Sequence, residues 1–406
     1  MNLRIPLAKP ELTEVDRKAV MDVLKTPYLS SGPKVAEFER AMCDYTGAAH
    51  AVAVNSGTSA LQLAIRALGI ERGAEVVVPS YTFSALLNAI LLEGLRPRFV
   101  DLDACSYNCS AESMLRVITP ETRLIMVVHT FGFPVDGIKI VEDVRRTAGG
   151  KRIHVIEDAC EALGAEANGR KAGTVADAGL FAFYPNKQIT TGEGGLLVTV
   201  DEKIAYKAAQ LRNQGRNPSL GWNSHAEVGF SYRIPDINCA LGSSQLSRVE
   251  SIIARRQILA EMYDRELAGI PQIVRPSLTS EVGRISWFVY PVQLAAEFTR
   301  EDRDAVCDAL VRQGIATGRY FAPLHRQSVL GTFCTRPFAT EGTELHRGKP
   351  TEETQRTEAR GTQLPNTEFV ADRVVALPFF NELSAREIHE VCCALDESLT
   401  GLRRKT

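Results

Sequence analysis

The chain has 406 residues, 45% hydrophobic and 24% charged, an ordinary globular composition with material for two domains and a large buried core. Its 47 Lys and Arg against 49 Asp and Glu leave a formal net charge of -2. No global basic field therefore draws nucleic acid or anionic lipid, and any anionic ligand must be held locally. The start, MNLRIPLAKPELTEVDRKAV, lacks the apolar core of a signal peptide, and no apolar run approaches the roughly 20 residues of a membrane helix, so a cytoplasmic protein is expected. Nine cysteines without a CxxC pair suit reduced thiols in a core, and the scattered seven histidines, with no HExxH spacing, offer no metal cage.

From about residue 50 to 200, short β-rich runs alternate with helical patterns, which predicts an α/β fold with a mostly parallel sheet flanked by helices. AVAV (51–54) leads into NSGTSAL (55–61), and Leu61, Ala64, Ile65 and Leu68, closed by Gly69, predict a helix just after NSGTS. That turn fits either phosphate binding at a helix N-terminus or simple capping by Ser56 or Ser59. EVVV (75–78) precedes PSYTFSALLNAI (79–90), whose Phe83 is placed to stack on a flat ligand or to fill core. RFVDL (98–102) and LIMVV (124–128) continue the strand pattern.

HVIEDACEALGA (154–165) ends an apolar strand with Asp158. Parallel sheets put ligands at the carboxyl ends of their strands, so Asp158 fits an anion beside a pyridine nitrogen as well as a helix N-cap. GAEANGRK (164–171) has the glycine spacing of a phosphate loop without its Lys-Ser/Thr, which excludes a nucleotide site there. In FAFYPNKQITTGEGG (181–195), Lys187 leaves an apolar strand. It is either a desolvated amine able to attack an aldehyde or a solvated lysine at a strand end. Residues 238–267 lack Gly or Pro after Gly242 and predict a long helix leading into a smaller C-terminal α+β domain, dividing the chain at 1–250 and 251–406. Residues 339–363, nearly devoid of large apolar side chains, read as a flexible surface insertion. Ser384 with Glu387 forms a capping box before a closing helix with Ile388, Val391, Cys392, Leu395 and Leu399 at helical spacing.

A phosphate cradle, an aromatic platform, a strand-end carboxylate and a strand-end lysine thus follow one another. Together with YLSSGPKVAEFE (28–39), HTFGFPVD (129–136) and GFSYRIPDINCALGSSQL (229–246), they make the chain resemble the DegT-type sugar aminotransferases, pyridoxal 5'-phosphate enzymes of the aspartate-aminotransferase-like fold, type I. The likeness spans nearly the whole chain, interrupted by 339–363. It implies that Lys187 is the Schiff-base residue and proton shuttle, Asp158 the pyridinium partner, Phe83 the stacking ring, and Gly57 with Thr58 the phosphate donors. Glu161 falls near the cofactor's phenolic oxygen, where relatives commonly carry His or Gln. Ala182 stands where many relatives have a phosphate-binding serine, and Ser231 where many have an asparagine reaching from the neighbouring subunit.

The resemblance further implies a homodimer with shared active sites. It also implies Arg233, Arg319 and His325 on the substrate side, and transfer from glutamate to a nucleotide-linked keto sugar in amino-sugar, polysaccharide or antibiotic-sugar biosynthesis. Lys187 argues against the dehydratase branch, which carries histidine there. The alternatives are a cyclitol aminotransferase and a cofactor-binding regulator without turnover.

Overall fold

The structure, a computed structural model, describes residues 3–103, 106–147, 152–217, 224–330 and 363–403. Residues 339–362 of the expected insertion lie outside them. In chain order, the strands of the first two-thirds are His50–Val54 (β1), Glu75–Pro79 (β2), Arg96–Val100 (β3), Thr122–Val128 (β4), His154–Asp158 (β5), Glu166–Ala167 (β6), Arg170–Lys171 (β7), Ala178–Ala182 (β8) and Gly195–Thr199 (β9). Seven of them form one sheet in the order β1-β9-β8-β5-β4-β2-β3. β3, β2, β4, β5 and β8 are mutually parallel, and β9 runs antiparallel to both β8 and β1, so β9 alone is reversed.

The apolar runs make these strands because side chains alternate faces and helices cover both. Val76 and Val78 pack on one side with Leu63, Leu87 and Leu124, whereas Val77 packs on the other with Ile125, Ile140 and Val155. The helix Gly57–Ala67 starts inside the NSGTS turn, because the Ser56 hydroxyl accepts the Ser59 N–H at 3.1 Å and caps it there.

The C-terminal part adds Ile273–Val274 (β10), Gly283–Arg284 (β11), Tyr290–Leu294 (β12) and Val374–Leu377 (β13). β10, β12 and β13 form a small antiparallel sheet, while β11 pairs with β6 next to the central sheet. The small sheet packs with the helices Val249–Leu267, Arg300–Arg312 and Ala385–Arg403 around Trp287, Tyr290, Leu310 and Leu395, and Ile5 from the chain start is buried in the same core. The capping box before the last helix forms, with Ser384 N–H donating to Glu387 Oε2 at 2.8 Å.

The long helix expected over 238–267 is two, Asp236–Leu246 and Val249–Leu267. Arg248 leaves helical geometry between them, its guanidinium drawn to the Glu11 carbonyl at 2.8 Å and to Asp16 at 3.1 Å. Neither Gly nor Pro marks this break, which coincides with these tertiary contacts. Among the described residues no helix is long and apolar enough to cross a membrane.

Candidate active site

The carboxyl ends of β4, β5 and β8 open into a cavity of about 400 Å³ whose wall includes Val128, Asp158 and Ala182. Asp158 ends β5, and its Oδ1 accepts the Cys160 N–H at 3.0 Å, so one oxygen caps the following turn while the carboxylate faces the cavity. The two readings open for Asp158, cap and ligand anion, are compatible. Burial pushes the neighbouring Cys160 thiol well up, which keeps it protonated and inert.

After β8 the chain turns, with Lys187 N–H donating to the Tyr184 carbonyl at 2.9 Å, and this aims the lysine side chain inward. Its side chain is only 13% exposed; Nζ lies 3.5 Å from Glu161 Oε1 and 4.0 Å from the centroid of the Phe288 ring. A lysine so enclosed is not the solvated strand-end residue that its sequence position also allowed. Glu161 Oε2 accepts the Phe131 N–H at 2.9 Å. Phe131 adopts a left-handed φ of 59°. Gly132 beside it admits no side chain, since a Cβ would stand 1.8 Å from the Ser286 carbonyl oxygen.

Gly57 and Thr58 open the helix after β1, so their N–H groups have no intrahelical partner and point with the positive end of the helix dipole. A Cβ on Gly57 would come 2.8 Å from the Ala182 Cβ and 3.1 Å from Cys160 Sγ, so this cradle exists only with glycine. Phe83 lines the same cavity and is 58% exposed, so it is not a core residue.

Gly57, Thr58, Phe83, Asp158, Glu161 and Lys187 therefore meet in one place. Ser231, Arg233, Arg319 and His325 do not line it. Arg319 is turned to its own domain, ion-paired at 2.8 Å with both Asp304 and Asp308 of the helix Arg300–Arg312. His325 is held between Ser80 Oγ at 2.6 Å and Glu368 Oε1 at 3.0 Å. Ser231 is exposed and Arg233 donates to Asn213 Oδ1 at 3.1 Å; their expected place is across a subunit interface. Sequence reasoning missed Tyr184, Phe288, Tyr320 and Phe321 in the wall. Tyr320 and Phe321 lie between Arg319 and His325 in GRYFAPLHRQ (318–327), and the available signal was these two adjacent aromatics.

The residues present fit pyridoxal 5'-phosphate: free N–H groups at a helix start for the phosphate, an uncovered ring for a flat heterocycle, a carboxylate for a ring nitrogen and an amine for an aldehyde. The sequence model of the DegT/DnrJ/EryC1/StrS aminotransferase family matches residues 10–345. The chain belongs to that family. GDP-perosamine synthase of Caulobacter vibrioides is 39% identical over 323 residues, 79% of this chain and 85% of that one. The aminotransferase TlmJ from Streptoalloteichus hindustanus superposes with a TM-score of 0.84 at 28% identity, covering 98% of this chain and 100% of the other. Spr1654 from Streptococcus pneumoniae, described as a sugar aminotransferase and solved in its PLP form, gives 0.85 at 25% identity over 98% and 99%. This aminotransferase is accordingly a pyridoxal-phosphate-dependent enzyme.

Proposed function

We propose that this aminotransferase moves an amino group from glutamate to the keto carbon of a nucleotide-linked sugar, and that it does so as a homodimer with shared sites. The observation that carries the reading is the largely enclosed Lys187 amine, 13% exposed, facing a cavity that also holds Asp158 and the Gly57–Thr58 cradle. The similarity to GDP-perosamine synthase supports a sugar acceptor.

When bound, the cofactor supplies an aldehyde for amines and a ring that accepts a carbanion's electron pair. Lys187 Nζ would hold the cofactor between turnovers. Once the donor amine displaces it, the freed Lys187 amine would take the proton from the donor's α-carbon and, in the second half-reaction, give one to the acceptor carbon. Asp158 holds a proton on the ring nitrogen as a charge-assisted hydrogen bond. The N–H groups of Gly57 and Thr58 would hold the phosphate, Phe83 would stack on the ring, and Phe321 with Tyr320 in the cavity wall would keep water from the reacting carbons.

Borohydride reduction of the holoenzyme is expected to leave a pyridoxyl group on the peptide containing Lys187, read by mass spectrometry. With glutamate as donor, a panel of nucleotide keto sugars is expected to yield an aminated product. Turnover of free keto-inositols alone would establish a cyclitol aminotransferase instead, and no turnover of either class would favour a regulator.

A further inference from the structure

Glu161 sits on the turn after β5, 9% exposed, in the cavity wall. A carboxylate only accepts hydrogen bonds. Here Oε2 accepts one, from the Phe131 N–H at 2.9 Å, and Oε1 has the Lys187 ammonium at 3.5 Å. Among the described residues Lys187 is the only cation within ion-pair distance. One backbone N–H does not compensate a buried charge, so the lysine balances most of it. The other groups around Glu161 add no positive charge: they are the Asp158 carboxyl, the Cys160 thiol and the hydroxyls of Tyr81 and Tyr320. Burial pushes the Glu161 carboxyl above its ordinary value, the Lys187 charge and the Phe131 N–H pull it back, and the Asp158 charge pushes it up again. Once Nζ is joined to the cofactor it is no longer a free ammonium. Glu161 then keeps the single Phe131 N–H, and its burial, with the Asp158 charge nearby, favours the protonated carboxyl.

We propose that Glu161 is the proton partner of Lys187, taking the ammonium proton so that the amine can capture the cofactor, and staying in the loaded site as a neutral carboxylic acid. The proton passes from Nζ to Oε1. The freed nitrogen lone pair forms the bond to the aldehyde carbon, and the carbonyl oxygen leaves as water with the two hydrogens remaining on the amine. A separation of 3.5 Å before the ligand arrives is of the kind that tightens on binding. This proposal rests on Lys187 being the residue that holds the cofactor.

The test follows capture of pyridoxal 5'-phosphate by the apo-protein, using absorbance, for the wild type, Glu161→Gln and Glu161→Asp. At pH 7 the Gln variant is expected to capture about 10²-fold more slowly, as for loss of a positioned base. That gap should narrow as pH rises and solvent base takes over, with the Asp variant intermediate. The holo-minus-apo infrared spectrum of the wild type should contain a carboxylic-acid C=O band that Glu161→Gln removes. Equal capture rates across pH, or no acid band in the wild-type holoenzyme, overturn the proposal. If the Gln variant does not fold, the band decides: a shift in Glu161→Asp assigns it to this residue, and an unmoved band refutes the assignment. Borohydride labelling of the wild type separates the two layers. A label on another lysine removes Lys187 and this proposal together, whereas a label on Lys187 with no effect of Glu161→Gln removes the proton partner alone.

Discussion

Gly57 shows how one missing side chain makes a site. The N–H groups of a helix start bind phosphate only if the phosphate reaches them, and the space in front is bounded by Ala182 and Cys160. Gly57→Ala places a methyl 2.8 Å from the Ala182 Cβ, closer than carbon atoms stand, so the helix start or β8 must shift. Helix propensity itself favours alanine, so the loss should appear in the ligand rather than in the fold. We expect cofactor affinity to fall about tenfold, near 1.4 kcal/mol, with little change in Tm. A titration of the apo-protein with pyridoxal phosphate checks this, and unchanged affinity would disprove the cradle. Ala182 itself offers no hydroxyl to a phosphate, so in the proposed site the backbone groups of Gly57 and Thr58 would carry more of the grip.

At the level of elements, the pairing of β4 with β5 is tied off by a buried pair. His129, just after β4, accepts the Val135 N–H on Nδ1 at 3.0 Å, which puts its proton on Nε2, and Nε2–H donates to Glu157 Oε1 at 3.1 Å. Glu157 also accepts the N–H groups of Gly173, Val175 and Ala176 at 3.2, 2.8 and 3.1 Å. Burial pushes this carboxyl up, but the hydrogen bonds and the nearby His129 outweigh burial and hold it below its ordinary 4.5. Because Glu157 points away from the cavity, the next residue, Asp158, points into it, and the His129 N–H holds the Asp158 carbonyl at 3.1 Å. A carboxyl with a depressed folded value stabilises the fold above its unfolded value and loses that contribution as pH falls through the folded one. The Tm of the wild type should therefore drop more steeply than that of Glu157→Gln between about pH 5 and 3. At neutral pH the variant should be less stable by about 3 kcal/mol. Parallel Tm curves would show that Glu157 does not carry this pH dependence.

For the whole molecule, the proposed shared sites turn on the segment after Val228. Phe230 and Tyr232 stack at 4.4 Å, with Arg66 4.5 Å over Phe230 and the Tyr232 hydroxyl donating to Gln62 at 2.6 Å. That anchors one face of the segment and leaves Ser231 exposed. Val228 is 82% exposed, Tyr28 and Leu29 are also large apolar side chains in solvent, and the Asp236 N–H holds the Leu29 carbonyl at 3.1 Å. The proposed interface would cover these exposed apolar side chains. Sedimentation should give about twice the 44.5 kDa of the chain. Leu29→Glu should produce monomers that bind cofactor at least tenfold more weakly, and a fully active monomer would rule the arrangement out.

Local features were readable from residue order. The strand runs, the helix behind NSGTS, and the placing of Asp158 and Lys187 at strand ends depend on neighbours in the chain, because period-two burial and capping are local rules. Since parallel strands deliver their carboxyl ends to one edge, the grouping of Gly57, Thr58, Phe83, Asp158 and Lys187 followed from the same pattern. Tertiary packing alone decided the rest. It brought Phe288, Tyr320 and Phe321 from the C-terminal part against the cavity, turned Arg319 to Asp304 and Asp308, and broke the helix at Arg248. It also set Glu161 beside Lys187, 26 residues apart in sequence. Such contacts depend on which surfaces meet across the fold, and a charged side chain takes whichever partner lies nearest once they do.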